Sequence, residues 1–190
     1  MTSLPARSSY PSDLSDAEWA EVEKHVPTPS RKGTDTRHAR REILNAILYV
    51  VRTGVQWRYL PHDLPPWQTV YTYFDAWKKD GTFETIADAL RKKVRAMEDR
   101  DEEPTLGILD SSSRQGTEVG GEIGFDAGKK VKGRKRHILV DILGCILVVF
   151  VTAASVQDRD AVRRVLHEAK YTLPKLRKVL GDGGYRGRVV

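Results

Sequence analysis

Residues 135–154 read KRHILVDILGCILVVFVTAA, and they place strands in a chain that otherwise opens as helix. Ile138, Val140 and Ile142 alternate with their neighbours, the period of a strand with one buried face. Leu143-Gly144 marks a turn, and residues 146–151 are apolar throughout, as in a central strand covered on both faces. Upstream, TLGILDSS (105–112) reads as a short apolar strand ending in Asp110. Downstream, QDRDAVRRVLHEAKY (157–171) reads as a helix with Asp158 and Asp160 at its positive end. LRKVLGD (176–182) is then a fourth strand ending at Asp182. The order is strand, hairpin of two strands, helix, strand.

Toward the N-terminus the period changes. In LSDAEWAEVEKHVP (14–27), Ser15 is an N-cap with Glu18 at the third helical position, a capping box, and Leu14 and Trp19 stand where a hydrophobic staple needs them. Trp19, Val22 and Val26 mark the apolar face, and Pro27 ends the helix. A second helix runs through RHARREILNAILYVVRTG (37–54), with Ile43, Leu44, Ile47, Leu48 and Val51 as its stripe and Gly54 as its stop. After a turn rich in proline and tryptophan, a third helix is expected over Trp67–Lys79, with Val70, Tyr71, Phe74 and Trp77 at helical spacing as core. A fourth, from about Thr82, sets Phe83, Ile86, Ala87, Leu90 and Val94 on one face and ends in RKKVR. Such a set of helices is compatible with a helix-turn-helix DNA-binding module and equally with a plain helical bundle.

The acidic stretch EDRDEEP (98–104) separates the two patterns and carries a net charge of −4, against +3 for residues 1–97 and +7 for residues 105–190. A basic C-terminal half suits a polyanion, of which nucleic acid is the commonest. No apolar run approaches the roughly 20 residues that cross a bilayer, and the polar N-terminus lacks a signal-peptide centre, so a cytoplasmic location is expected. The single cysteine, Cys145, excludes an internal disulfide, and the scattered histidines give no zinc spacing.

Asp110 and Asp182 carry the chemistry. If the first and fourth strands lie parallel and adjacent, about 4.8 Å apart, both carboxylates emerge together and can grip one cation. A hard divalent ion such as Mg2+ relieves their repulsion, and a pair of such ions can assist phosphodiester cleavage. Each aspartate singly also reads as a turn residue; together, at equivalent strand ends, they favour a metal site. Between them, Lys129, Lys130, Lys132, Arg134, Lys135 and Arg136 put six basic residues in eight, a phosphate-binding run or a solvated basic loop.

LSDAEW, RREILNAILYVVRTGVQWRYLP, WQTVYTYFDAWKKDGTFE, LDSSSRQ, GFDAGKKVKGRKRHILVDILG, VTAASVQDRDAV and GDGGYRG together resemble a bacterial insertion-element transposase of the DDE class, over about residues 14–187. The resemblance implies an α+β chain: an all-helical, helix-turn-helix-like module (1–97), an acidic linker (98–104) and a truncated RNase H-like domain with a mixed sheet (105–190). It implies Asp110 and Asp182 as the first two catalytic carboxylates and metal ligands. It further implies Mg2+ (or Mn2+) as cofactor, double-stranded DNA (terminal inverted repeats and target) as partner, and a homo-oligomer when complete. Contacts to DNA in the helical module are expected from Arg37, Arg40, Arg41 and turn residues 56–58. The family's third carboxylate, a later Glu in a Tyr–Arg–Glu–Lys signature, has no counterpart before Val190, and Glu168 reads as a surface helical residue. The chain is therefore expected to be the front part of a transposase, from a disrupted gene or an upstream reading frame, that binds DNA without transposing. The alternatives are a non-catalytic regulator occupying the element ends, and a nuclease drawing a third ligand from Asp126 or Asp141; Asp141 reads rather as paired with a basic neighbour.

Overall fold

A computed structural model describes residues 7–28, 38–116 and 121–182 of the chain. It divides into two compact units, Met1–Leu90 and Arg91–Val190, the division falling inside a helix.

In the first unit, helix α1 (Asp16–Val22) starts with the expected capping box: Ser15 accepts from the Glu18 backbone N–H while the Glu18 side chain accepts from the Ser15 N–H. A 3-10 turn (Glu23–His25) follows. Helix α2 (Arg40–Thr53) ends at Gly54, whose φ of 70° is the left-handed conformation that glycine adopts without a Cβ penalty. A second 3-10 turn (Trp57–Tyr59) leads to α3 (Trp67–Lys79), and α4 runs over Thr82–Met97. The core gathers Val22, Val26, Ile43, Leu44, Ile47, Val50, Leu60, Leu64, Val70 and Trp77, with Leu14, Trp19, Phe74 and Phe83 packed against it. Trp57, Phe74, Phe83 and Trp77 form a chain of ring contacts with centroids 5.0–6.1 Å apart. Three expectations change. On α2, Val51 is exposed and Val50 takes the buried position instead. Tyr71 faces outward, 45% exposed, and on α4 Leu90 and Val94 are exposed while Arg91 and Arg95 are buried. Arg95 is drawn in by a buried carboxylate, Asp141.

The second unit is a mixed sheet with one helix against it. Its strands are β1 (Leu106–Gln115), β2 (Gly124–Asp126), β3 (Val131–Val140), β4 (Ile146–Ala153) and β5 (Lys178–Gly181), with α5 (Asp158–Thr172) between the last two. β1 is central, antiparallel to β3 and parallel to β5. The far edge of β3 is shared end to end by β4 and the short β2, which sequence alone did not reveal. Leu109, Leu139 and Val148 pack against Val162, Val165, Ala169 and Leu173 of α5. Gly133 is required where β3 passes β1, since a Cβ there would lie 2.0 Å from the Arg114 carbonyl oxygen.

Two strand readings are corrected. β1 does not end at Asp110 but continues to Gln115, because the ladder from Asp110↔Ile138 to Gln115↔Gly133 holds residues 111–113 extended against their turn preference. β4 is not covered on both faces: among the described residues α5 covers one, and Ile146, Val149 and Val151 are exposed on the other. The expected parallel neighbours, β1 and β5, are adjacent. The strand order is consistent with an RNase H-like fold.

Candidate active site and nucleic-acid interface

The β1–β5 register pairs Leu106 with Lys178 and ends at Leu109 opposite Gly181. Continued one step past the end of this ladder, the same register would set Asp110 opposite Asp182. Paired residues on neighbouring strands point to the same face, with backbones about 4.8 Å apart. Leu109 is buried toward α5, so Asp110 points to the other face, as do the exposed Ile108 and Leu180. Both aspartates are exposed, and no hydrogen bond or ion pair among the described residues engages the Asp110 carboxylate. Two exposed carboxylates at one height suit a hard divalent cation that keeps several waters. Among the described residues no three His, Cys, Asp or Glu side chains cluster as metal ligands.

Strand alternation divides the basic run between the two faces. Arg134 and Arg136 of β3 pair with Arg114 and Ser112 of β1, four and two residues beyond Asp110 respectively, and so share its face. Arg136 is diagonal to Asp110, at a typical Cα separation of about 7–8 Å. Arg114 was not singled out from the sequence, although the two-residue period from Asp110 through Ser112 points to it. Lys129, Lys130 and Lys132 are exposed. The Lys129 ammonium donates to the Ser111 carbonyl at 3.0 Å, which holds it beside the strand that carries Asp110.

Lys135 is turned inward, contrary to the reading of the whole run as one phosphate contact. It is 6% exposed, lies 3.1 Å from Asp158 and 3.5 Å from Asp126, and donates to the Val156 carbonyl at 3.1 Å. Asp126 also accepts from Ser113 Oγ and from the backbone N–H groups of Gly128 and Lys129, at 3.1 and 3.0 Å. The Ser113 hydrogen bond first, then the Lys129 N–H, lowers its pKa to about 2 against a burial cost. This carboxylate thus shapes the turn that presents Lys129 and Lys130. His137 is fully buried beneath α5 with Nε2 3.1 Å from Thr152 Oγ1, and burial pushes its pKa down despite Asp158 nearby.

Asp141 is 1% exposed, 2.6 Å from Arg95, and accepts from the N–H groups of Leu143 and Cys145 at 2.9 Å. It pairs with a basic residue as expected and closes the β3–β4 turn. Asp126 and Asp141 therefore both have structural occupations away from Asp110. Glu168 lies exposed on α5.

In the helical unit, Arg41 donates to Asp16 and to the Leu14 carbonyl, both at 2.5 Å, while Arg40 donates to the Val26 carbonyl and lies 3.6 Å from Glu23. Both guanidiniums are committed to holding the α1 segment on α2. Arg37 lies outside the described residues. Of the turn residues, Gln56 is exposed, Trp57 packs on α3, and the Arg58 guanidinium lies 5.6 Å from the centre of the Trp67 ring.

Two family models match side by side: one described as a transposase of IS4/5 family (DUF4096) over residues 14–87, and a transposase DDE domain over residues 101–190. No curated protein and no solved structure matches the chain. No helix among the described residues is long and apolar enough to cross a membrane. Between them the two matches take in the helical unit and the sheet that carries Asp110 and Asp182, and they place this chain among the insertion-element transposases of the DDE class.

Proposed function

We propose that the chain binds the terminal inverted repeats of its insertion element and presents Asp110 and Asp182 for phosphodiester hydrolysis and strand transfer. The observation that supports this reading is the β1–β5 register, which one step beyond its last pair would bring the two carboxylates side by side on an open, arginine-flanked sheet face. Asp110 and Asp182 would hold Mg2+ or Mn2+, which supplies Lewis-acid stabilisation of the charge developing on the phosphoryl oxygens. Arg114, Arg134 and Arg136 neutralise the phosphates on either side of the scissile bond, and Lys129 adds a cation beside β1. In hydrolysis, water adds to phosphorus as the P–O3′ bond breaks, leaving a 3′-hydroxyl and a 5′-phosphate. In strand transfer that hydroxyl attacks a target-strand phosphorus and displaces its 3′-oxygen. A cytoplasmic homo-oligomer bridging two element ends fits this work.

The test has two readouts. Mn2+ binding followed by electron paramagnetic resonance should be weakened at least tenfold by Asp110→Asn and by Asp182→Asn. Any nicking or joining of terminal-repeat DNA in Mg2+ or Mn2+ should disappear in the same variants. Mn2+ affinity unchanged by both substitutions would refute the site. A second reading, a regulator that occupies element ends without cutting them, is favoured by the helical unit having a hydrophobic core of its own. It predicts repeat-specific binding that survives both substitutions with no cleavage by the wild type.

A further inference from the structure

We infer that the outward face of α3 reads base edges in the DNA major groove, with Gln68, Tyr71 and Thr72 as the specificity-determining residues. This rests on the proposal that the chain binds element-end DNA, and it assigns the reading to particular side chains. Val70 and Trp77 are buried and Tyr73 and Phe74 pack on the core, so positions 68, 71, 72, 75 and 79 turn away from it. Gln68, Tyr71 and Thr72 are exposed there, and the first turn of α3 carries no acidic residue.

Charge selects α3 among the helices. α1 has Asp16 and Glu18 in its first turn and no basic residue in its last, and the first half of α4 carries Glu84 and Asp88. The arginines opening α2 are committed to α1-segment partners. Either α1 or the start of α4 would bring carboxylates against phosphates. α3 instead has neutral hydrogen-bonding groups in its first two turns, its one acidic side chain, Asp75, neutralised by Lys79, and cations at each end. Arg58 stands over Trp67 at the N-terminal end, and Lys78 and Lys79 lie in the last turn, Lys79 paired with Asp75 at 2.5 Å. Trp57 packs edge-on against Tyr71 at 5.4 Å, so the turn bearing Arg58 and the exposed Tyr59 is fixed beside the same face.

The chemistry and size match a groove. A glutamine amide can pair in two places with adenine, a threonine methyl suits the thymine methyl, and the major groove is about 12 Å wide, enough for one helix. The two ends of the helix meet phosphates, which positions it without specifying sequence.

The test uses the whole chain and a pool of duplexes with a randomised central segment. Wild type should enrich one consensus. Gln68→Ala and Thr72→Ala should each lower the preference for that consensus over a scrambled duplex by about 5- to 150-fold, with scrambled-duplex affinity unchanged. Arg58→Ala should weaken both duplexes alike and reduce the salt slope by about one. Glu84→Ala and Thr85→Ala, on the outer side of α4, should leave the preference intact. A preference unchanged by Gln68→Ala and Thr72→Ala, or lost on substituting α4 instead, overturns the assignment to α3. Failure of wild type to bind any duplex would overturn the DNA-binding proposal itself.

Discussion

The ion pair between Arg95 and Asp141 offers the sharpest test of how the sheet unit is held together. Both side chains are nearly inaccessible, at 6% and 0% exposure, and Asp141 also closes the β3–β4 turn through two backbone N–H groups. Asp141→Ala removes the carboxylate paired with the buried Arg95 guanidinium and orphans two turn donors. Breaking one side of a buried pair costs about 3–5 kcal/mol, a large share of the roughly 5–15 kcal/mol that holds a domain folded. Asp141→Asn keeps an acceptor for the turn and loses the charge, so about 1 kcal/mol for each retained bond is recovered. Adding Arg95→Met to Asp141→Asn removes the stranded charge and should recover most of the remainder. All four tryptophans, Trp19, Trp57, Trp67 and Trp77, lie in the first unit, so fluorescence reports on the helices and circular dichroism near 218 nm is needed for the sheet. With a urea dependence of about 1–3 kcal/mol/M, the dichroism midpoint should fall by at least about 1 M in Asp141→Ala. A midpoint within about 0.3 M of wild type, or a double variant no better than Asp141→Asn alone, would refute the reasoning.

Four further outcomes are expected. The Asp126 carboxyl is held near pKa 2 in the folded chain and nearer 3.8 unfolded, so its contribution is complete above pH 4 and lost as pH falls toward 2. That amounts to about 2 kcal/mol, and Asp126→Asn should flatten this acid limb in pH-dependent urea titrations. The buried His137 imidazole has a lowered pKa, so the unfolded chain takes up its proton first and stability falls as pH drops below about 6.5; His137→Gln should remove that slope. Arg136→Ala should weaken binding to any duplex and reduce the salt slope by about one with stability unchanged. Lys135→Met should leave binding alone yet cost about 3 kcal/mol or more by stranding Asp126 and Asp158, as read from paired fluorescence-anisotropy and melting measurements.

What the sequence revealed follows the range of the forces involved. The capping box at Ser15 and Glu18, the left-handed stop at Gly54 and the span of α3 are set by groups a few residues apart, and each is present. The parallel β1–β5 pairing was legible because two apolar segments flank a hairpin and a helix in an order with few topologies. Long-range partners were not. Nothing near Lys135 announces Asp158, which meets it only because α5 crosses beneath β3. Nothing near Val94 announces that Arg95 would take a buried position, which depends on Asp141 some 46 residues beyond it. The end of β1 was misplaced because three serines favour a turn only until a partner strand supplies their hydrogen bonds.

The mixed pairing of β1 also sets an order of assembly. Its antiparallel partner β3 is linked to β4 by a tight turn and can form early from nearby chain. Its parallel partner β5 arrives only after α5, closing a loop of about seventy residues between Leu109 and Gly181. During synthesis, therefore, Asp110 is expected to be in place on a formed ladder before Asp182 leaves the ribosome. The carboxylates proposed to hold the metal would be the last part of this sheet to come together, and a nascent chain would hold its basic β3 surface well before it holds that pair. Pulse-labelling of the nascent chain should detect protected β3–β4 amides while Mn2+ binding is still absent.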